Sequence, residues 1–403
     1  MFGVWRRLFG LPAWLRVLMI GQVVNSAGGL AWIYLALYLV GDRGMTPGAA
    51  GVVAACYGVG LIAGNFAGGW FGDRFGLRRG LLVSQLSWIV ACLSVPLAPT
   101  STLAILVGAA GVCSGASRPL SFALVTAALP SDRRREGMAL SRTASNLGFT
   151  IGPPLGALLA AYDFNLIFVL DAASSAVLAA IIWRAVPRDA ARPDTGPAAP
   201  TVPVGPASGT VWARLRGDPS VLAILGTVLV VDTVYRQILT PLPLMLRSMG
   251  QPAVAYGLLM AANAALIVAF EAPIAVRLRN RAALPVIAVG YALVGAGYLV
   301  IGAAPGLASA AVAIAVLSAG EMLYKPTAPA YVADAAPAGM LGRYQSLYGA
   351  ASIGGMMLAP ALGGFGYQYA GNLIWPICAV VGGLSALVLW RVSRRDAPVP
   401  VAA

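Results

Sequence analysis

The chain has 403 residues, 59% of them hydrophobic and 10% charged, with a mean hydropathy of +0.81, whereas soluble domains carry about 25% charged residues. So little polar surface excludes an ordinary water-soluble domain: most apolar side chains must face lipid or other membrane helices. The formal charge of +13 is scattered in short clusters beside apolar spans, which argues against nucleic-acid binding, and the four cysteines lie in apolar stretches of a chain without histidine, so no metal, disulfide framework or cofactor is expected.

A hydrocarbon core about 30 Å thick takes about 20 apolar residues of helix. Twelve such segments are predicted, over 13–40, 48–71, 79–98, 101–129, 137–162, 165–186, 219–246, 253–276, 283–303, 306–333, 340–367 and 371–391. The apolar run behind the basic start MFGVWRRLFG is too long for a signal peptide and is expected to be retained as the first span. Short cytoplasmic loops accumulate Lys and Arg. With the amino terminus inside, 22 of the 27 basic residues fall at cytoplasmic ends and only Arg43 and Arg247 on the opposite side, so both termini are predicted cytoplasmic. Within the first span, Asn25 lies deep in an apolar run, and Trp32 and Tyr34 follow it. Asn25 and Tyr34 are read as hydrogen-bonding and stacking surface for a substrate; packing or an interfacial belt is the other reading of the aromatics.

At the junction of spans two and three the chain reads GGWFGDRFGLRRG, placing Gly69, Asp73, Arg74, Gly76, Arg78 and Arg79 in the order G-x-x-x-D-R-x-G-x-R-R. The two glycines permit a tight turn and close helix approach, and an acid at a helix junction suits the positive end of another helix. This pattern resembles the signature of the major facilitator superfamily. The resemblance implies an all-α membrane protein of 12 transmembrane helices in two pseudo-symmetric six-helix bundles. It also implies that Asp73 and its basic neighbours form a cytoplasmic latch against the start of span eleven, here near Gly339 to Arg343. A simple topology anchor is the alternative.

Span four carries Arg118 near the bilayer midplane, where drug antiporters of that superfamily have an intramembrane Arg; Ser121 and Phe122 stand where their Gln-Gly would follow. Pro119 behind it is expected to bend the span. Span five reads NLGFTIGPPLGA, and its Gly148, Gly152, Pro153 and Gly156 resemble the element of the exporting, proton-antiport branches, with Ala157 in place of the last glycine. Helix packing alone is the other reading. Asp171 in span six is expected to be solvated near the outer end. Residues 188–210, rich in Pro, Ala and Gly, read as a flexible linker.

An ionisable group at the bilayer centre costs about 2.5 kcal/mol or more and needs a role or a partner. Asp232 and Arg236 in span seven are four apart, as are Glu321 and Lys325 in span ten, so each couple is expected to share a helical face. Glu321, then Asp232, then Glu271 in span eight are the candidates to carry a coupling proton, and Arg118, Arg236 and Lys325 are candidate substrate contacts. Static salt bridges are the alternative. Pro326 after Lys325 is again expected to bend its span.

A shift of 207 positions without gaps superposes Arg118-Pro119 on Lys325-Pro326, Gly148 on Gly355, Pro153 on Pro360, Asn165-Leu166-Ile167 on Asn372-Leu373-Ile374, and Trp183-Arg184 on Trp390-Arg391. The chain is therefore divided into a bundle over 1–186, a cytoplasmic linker over 187–217, a second bundle over 218–395 and a disordered tail over 396–403. Paired bundles of this kind occur in secondary transporters. The expected function is proton-coupled transport of a small molecule by alternating access, as an exporter by proton antiport of a drug or metabolite. Proton symport of a zwitterion such as a short peptide or amino acid is the alternative. No HExxH, histidine-containing triad or nucleotide loop is present, so no enzyme is expected. The expected partners are a small-molecule substrate, protons and the lipid bilayer, without nucleic acid. The protein is expected to be a monomer, multi-pass in a bacterial cytoplasmic membrane.

Overall fold

The computed structural model describes residues 12–129, 134–187, 215, 217–278, 281–337 and 341–395. The expected tail, and the linker over 188–214, lie outside the described residues. Helices α1 (Ala13–Gly28), α2 (Ala31–Gly41), α3 (Pro47–Phe75), α4 (Leu77–Ser94), α5 (Leu103–Ala127), α6 (Arg134–Tyr162) and α7 (Asn165–Ala185) are followed by α8 (Pro219–Tyr235), α9 (Pro241–Ser248), α10 (Ala253–Leu278), α11 (Ala283–Ala303), α12 (Leu307–Asp334), α13 (Leu341–Ala370) and α14 (Ile374–Arg395). No strand occurs among the described residues.

Nine stretches among the described residues are long and apolar enough to cross a membrane, and the last, Arg343–Arg394, takes in most of both α13 and α14. Twelve were expected. The difference comes from that fused stretch and from α4, which has two arginines in its first turn, and α6, whose Arg, Ser, Thr, Asn, Pro and Gly residues lower its hydropathy along its length. Large apolar side chains stand exposed along the helices, Phe66 at 77% and Ile105 at 75% among them, as lipid-facing surface requires.

The chain separates into two compact units, one comprising Met1–Pro197 with Leu246–Ala264, the other Ala198–Met245 with Ala265–Ala403. In the first, α1 packs on α6 and α7, α4 packs on α5 and α7, and α3 lies along α5. Glycines make the last contact close: Gly60, Gly64 and Gly68 face the backbone of α5, while Gly111 and Gly115 face that of α3, so any side chain there would collide with backbone. In the second unit, α8 packs on α13 and α14, and α11 on α12 and α14.

Helices α5 and α12 carry Pro119 and Pro326 without an interruption of the helix. The interruptions fall in the first and seventh spans. Helix α1 ends at Gly28, Gly29 leaves helical angles at φ −71°, ψ 66°, and α2 restarts at Ala31. Helix α8 ends at Tyr235, 207 positions after Gly28, and passes through a 3-10 turn, Arg236–Ile238, into α9. A proline inside a membrane helix is tolerated because neighbours satisfy the freed carbonyl, whereas Gly28-Gly29 and the Pro241-Leu242-Pro243 run stop the hydrogen-bond ladder outright.

Candidate functional site

The second unit holds the two acid–base couples read from sequence, with a partner exchanged. Lys325 on α12 does not close on Glu321 one turn away; its Nζ lies 2.7 Å from Asp232 Oδ1 on α8. Tyr324 OH donates to the same oxygen at 2.8 Å, and Ser352 Oγ of α13 donates to Asp232 Oδ2. Asp232 is 0% exposed while the Lys325 side chain is 25% exposed, so the pair runs from dry interior towards an accessible surface. Glu321 accepts the hydroxyl of Tyr235, one residue before the interruption in span seven, and Tyr298 OH holds the Tyr235 carbonyl at 2.8 Å. Arg236 follows Asp232 by one turn and acts on it electrostatically without closing to an ion pair among the described residues. It leaves the helix at ψ 2°, and its Nε is buried without a hydrogen-bond partner among the described residues.

Glycine sets this geometry. A Cβ on Gly355 of α13 would stand 2.6 Å from Leu229 O and 2.9 Å from Asp232 Cβ. Helix α13 therefore lies directly on α8, which brings Ser352 to the carboxylate. The residue 207 positions earlier, Gly148, does the same in the first unit against the Val23 carbonyl and Ser26 of α1. Gly152 and Gly156 continue that face onto the span-one interruption, where added Cβ atoms would stand 2.7 Å from Ala27 O and 2.7 Å from Leu30 Cδ1. The span-five element is thus the surface on which the interrupted first span rests.

Asn25 occupies in the first unit the place that Asp232 holds in the second, 207 positions on. Its Nδ2 donates to Ser175 Oγ of α7 at 3.1 Å. Tyr34 is buried, donates to Pro153 O at 2.6 Å and lies edge-on to Tyr256 with centroids 5.8 Å apart. Asp171, expected to be solvated, is instead 1% exposed; it accepts from Trp88 Nε1 at 2.8 Å and from Ala31 N at 3.1 Å. Hydropathy places this residue near a span end but does not reveal the indole and the free helix N-terminus that replace its water.

Of the latch residues, Gly76 makes the α3–α4 turn at φ +90°. Arg78 donates to Ile182 O at 3.3 Å and Trp183 O at 2.6 Å while lying over the Trp183 ring, capping the end of α7. Arg74 lies over Trp70 and Phe75, and Arg79 is exposed. The side chain of Asp73, residue Gly69 and the segment 338–340 towards which the latch was expected to reach lie outside the described residues, as does the side chain of Arg118. Glu271 sits half-buried on α10. Sequence reading missed Ser352, Tyr298 and Trp88, common residue types whose role appears only when another helix meets them.

The sequence profile of the Major Facilitator Superfamily matches residues 18–352. The uncharacterized MFS-type transporter YttB of Bacillus subtilis (strain 168) is 25% identical over 95% of this chain and 94% of its own length. A Na(+), Li(+), K(+)/H(+) antiporter of Planococcus maritimus is 29% identical over 42% of this chain and 41% of its own. A POT family transporter solved in complex with 5-aminolevulinic acid has the same fold, with a TM-score of 0.81, 15% identity and coverage of 96% of this chain and 97% of the other. With a duplicated helix interruption, buried charges on facing helices and a profile match across most of its length, the chain belongs to the Major Facilitator Superfamily of integral membrane transporters and is not an enzyme.

Proposed function

We propose that this transporter is proton-coupled, that Glu321 carries the coupling proton, and that it exports a small drug-like or metabolite substrate by antiport across a bacterial cytoplasmic membrane with both termini inside. The observation that carries the reading is the division of labour between two carboxylates on facing helices. Asp232 is held by Lys325, Tyr324 and Ser352, a set of donors suited to a carboxylate that stays ionised. Glu321 is half-buried and bonded to the hydroxyl of Tyr235, at the interruption in span seven. Protonating Glu321 exchanges an accepted hydrogen bond for a donated one beside the point where that span can flex, whereas protonating Asp232 would strip the half-buried Lys325 ammonium of its partner. Glu271 is the remaining carboxylate of this proposal. Lys325 and Arg236 supply positive charge for substrate; Arg118, Asn25 and Tyr34 complete the proposed set. The antiporter named among the relatives supports the direction, although it matches under half of the chain.

Import of a zwitterion by symport is the second reading, favoured by the nearness of both charge signs in this cluster. Gradient direction separates the two. In proteoliposomes, antiport predicts that an acidic interior drives ethidium uptake. Acceleration of dialanine uptake by an acidic exterior, with no ethidium uptake under the opposite gradient, overturns the antiport reading.

A further inference from the structure

One carboxylate within a membrane-spanning helix of the first unit is not used by the proposed function. Asp171 on α7 is 1% exposed. Its partners are the Trp88 indole of α4 at 2.8 Å and the first N–H of α2, that of Ala31, at 3.1 Å. Neither is a cation, and Asp171 makes no ion pair among the described residues. A buried carboxylate without a counter-charge is tolerated where N–H donors and the positive end of a helix face it. Here that helix end exists because span one is interrupted at Gly29.

Helix α7 grips the interruption from both sides. Ser175 takes the Asn25 amide one turn before it, Ser174 fills the space over Gly28, and Asp171 takes Ala31 just after it. The titratable groups facing Asp171 are Tyr57 of α3, which donates to Ser114 Oγ at 2.9 Å, and Cys92 of α4. Both types are ordinarily neutral at pH 7. Helices α1 and α2 and the turn between them bring the Asn25 amide and the Leu30 and Ala31 N–H groups, none of them charged. The nearest cation bonded to α7, Arg78, holds the Ile182 and Trp183 carbonyls about three turns away.

What α2 carries gives the carboxylate a consequence. Tyr34 is bonded to Pro153 O and packed on Tyr256, and the Leu37 carbonyl accepts from Arg247 Nη1 at 3.2 Å. Gly257 fits against Tyr34, Ala157 and the Pro153 carbonyl with no space for a Cβ. Helix α2 therefore joins Asp171 to the contact between spans one and five and residues 246–264.

We infer that Asp171 is a second proton-binding site, and that protonating it removes the anion from the start of α2 and loosens the contact of Tyr34 and Leu37 with residues 246–264. This rests on the proton-coupled reading but uses a different carboxylate in a different unit.

The test is hydrogen–deuterium exchange of the full-length protein in lipid nanodiscs, followed over 31–41 and 246–257 and corrected for the intrinsic pH dependence of exchange. Wild type is expected to exchange faster in both segments as pH falls. Asp171→Asn should exchange about tenfold faster than wild type at neutral pH and lose the pH response, as expected for loss of a charge-assisted bond. Asp171→Glu should retain the response, and Trp88→Phe, which removes one donor from the carboxylate, should move its midpoint about one unit to higher pH. Glu321→Gln should leave the response intact. If Asp171→Asn keeps the wild-type rates and pH response, the inference is wrong. A preserved response in a protein that shows no proton-driven transport would refute the proposed function and leave this site standing.

Discussion

Lys325→Met tests the ion pair that organises the second unit. At 2.7 Å the attraction between Nζ and Asp232 Oδ1 is about 6 kcal/mol at an effective dielectric of about 20, before the cost of desolvating either group. Removing one partner of a buried pair costs about 3–5 kcal/mol, because the other charge is left stranded. Tyr324 and Ser352 continue to donate to Asp232, and the Lys325 side chain is 25% exposed, which places the expected loss at the lower end, about 3 kcal/mol. At about 2 °C per kcal/mol for a chain of this size, the melting temperature in detergent should fall by about 6 °C. Asp232→Asn in the same background should recover most of that loss, since an amide beside methionine leaves no stranded charge. A single Lys325→Met variant as stable as wild type, or a double variant no better than the single, would refute the assignment of the pair.

Gly152→Val forces side-chain atoms against the Ala27 carbonyl and should abolish folded, monodisperse protein in size-exclusion chromatography, whereas Gly226→Ala, with open space at its Cβ, should be up to about 1 kcal/mol more stable by thermal unfolding. Arg78→Ala removes the cap on α7 and the stacking on Trp183 and should cost about 1–2 kcal/mol by thermal unfolding, with Arg78→Lys recovering only part because it lacks the planar fork. Asp42, beyond the end of α2, has its pKa raised by burial and by Asp163 against the opposing pull of Arg247 and Arg43. Its ionisation therefore costs the folded state more than the unfolded one. Its contribution to stability falls as pH rises from the ordinary carboxylate range through the raised value, and Asp42→Asn should flatten that part of a melting-temperature profile. Tyr235→Phe removes the hydroxyl given to Glu321 and should change the pH dependence of transport while leaving the melting temperature nearly unchanged.

The sequence was most legible where one short stretch carries the information. The Gly69-to-Arg79 pattern, the apolar run lengths and the charges of spans seven and ten each reside on one helix or loop, and the family and helical class followed from them. The span-five glycines were also visible, but their target was not; that they rest on Ala27 and Leu30 depends on how α6 lies on α1. Partner choice was least legible. Four-residue spacing shows that Glu321 and Lys325 share a helix face and is silent about Asp232 approaching from α8, so the exchange could not be read along the chain. Asp171 shows the same gap, because hydropathy measures the apolar character of its neighbours and not whether an indole and a free N–H await the carboxylate. The interruption of span one had a signal in Gly28-Gly29. A glycine pair is compatible with continuous helix when packed, so the pair alone did not distinguish a hinge from a close contact.

The central claim, that Glu321 exchanges the coupling proton while Asp232 stays ionised against Lys325, is tested most directly by infrared difference spectroscopy of the lipid-reconstituted protein across a pH titration. Proton uptake at Glu321 predicts a carboxylic-acid C=O band that grows on acidification, disappears in Glu321→Gln and persists in Asp232→Asn. A band that survives Glu321→Gln unchanged and vanishes in Asp232→Asn would contradict it.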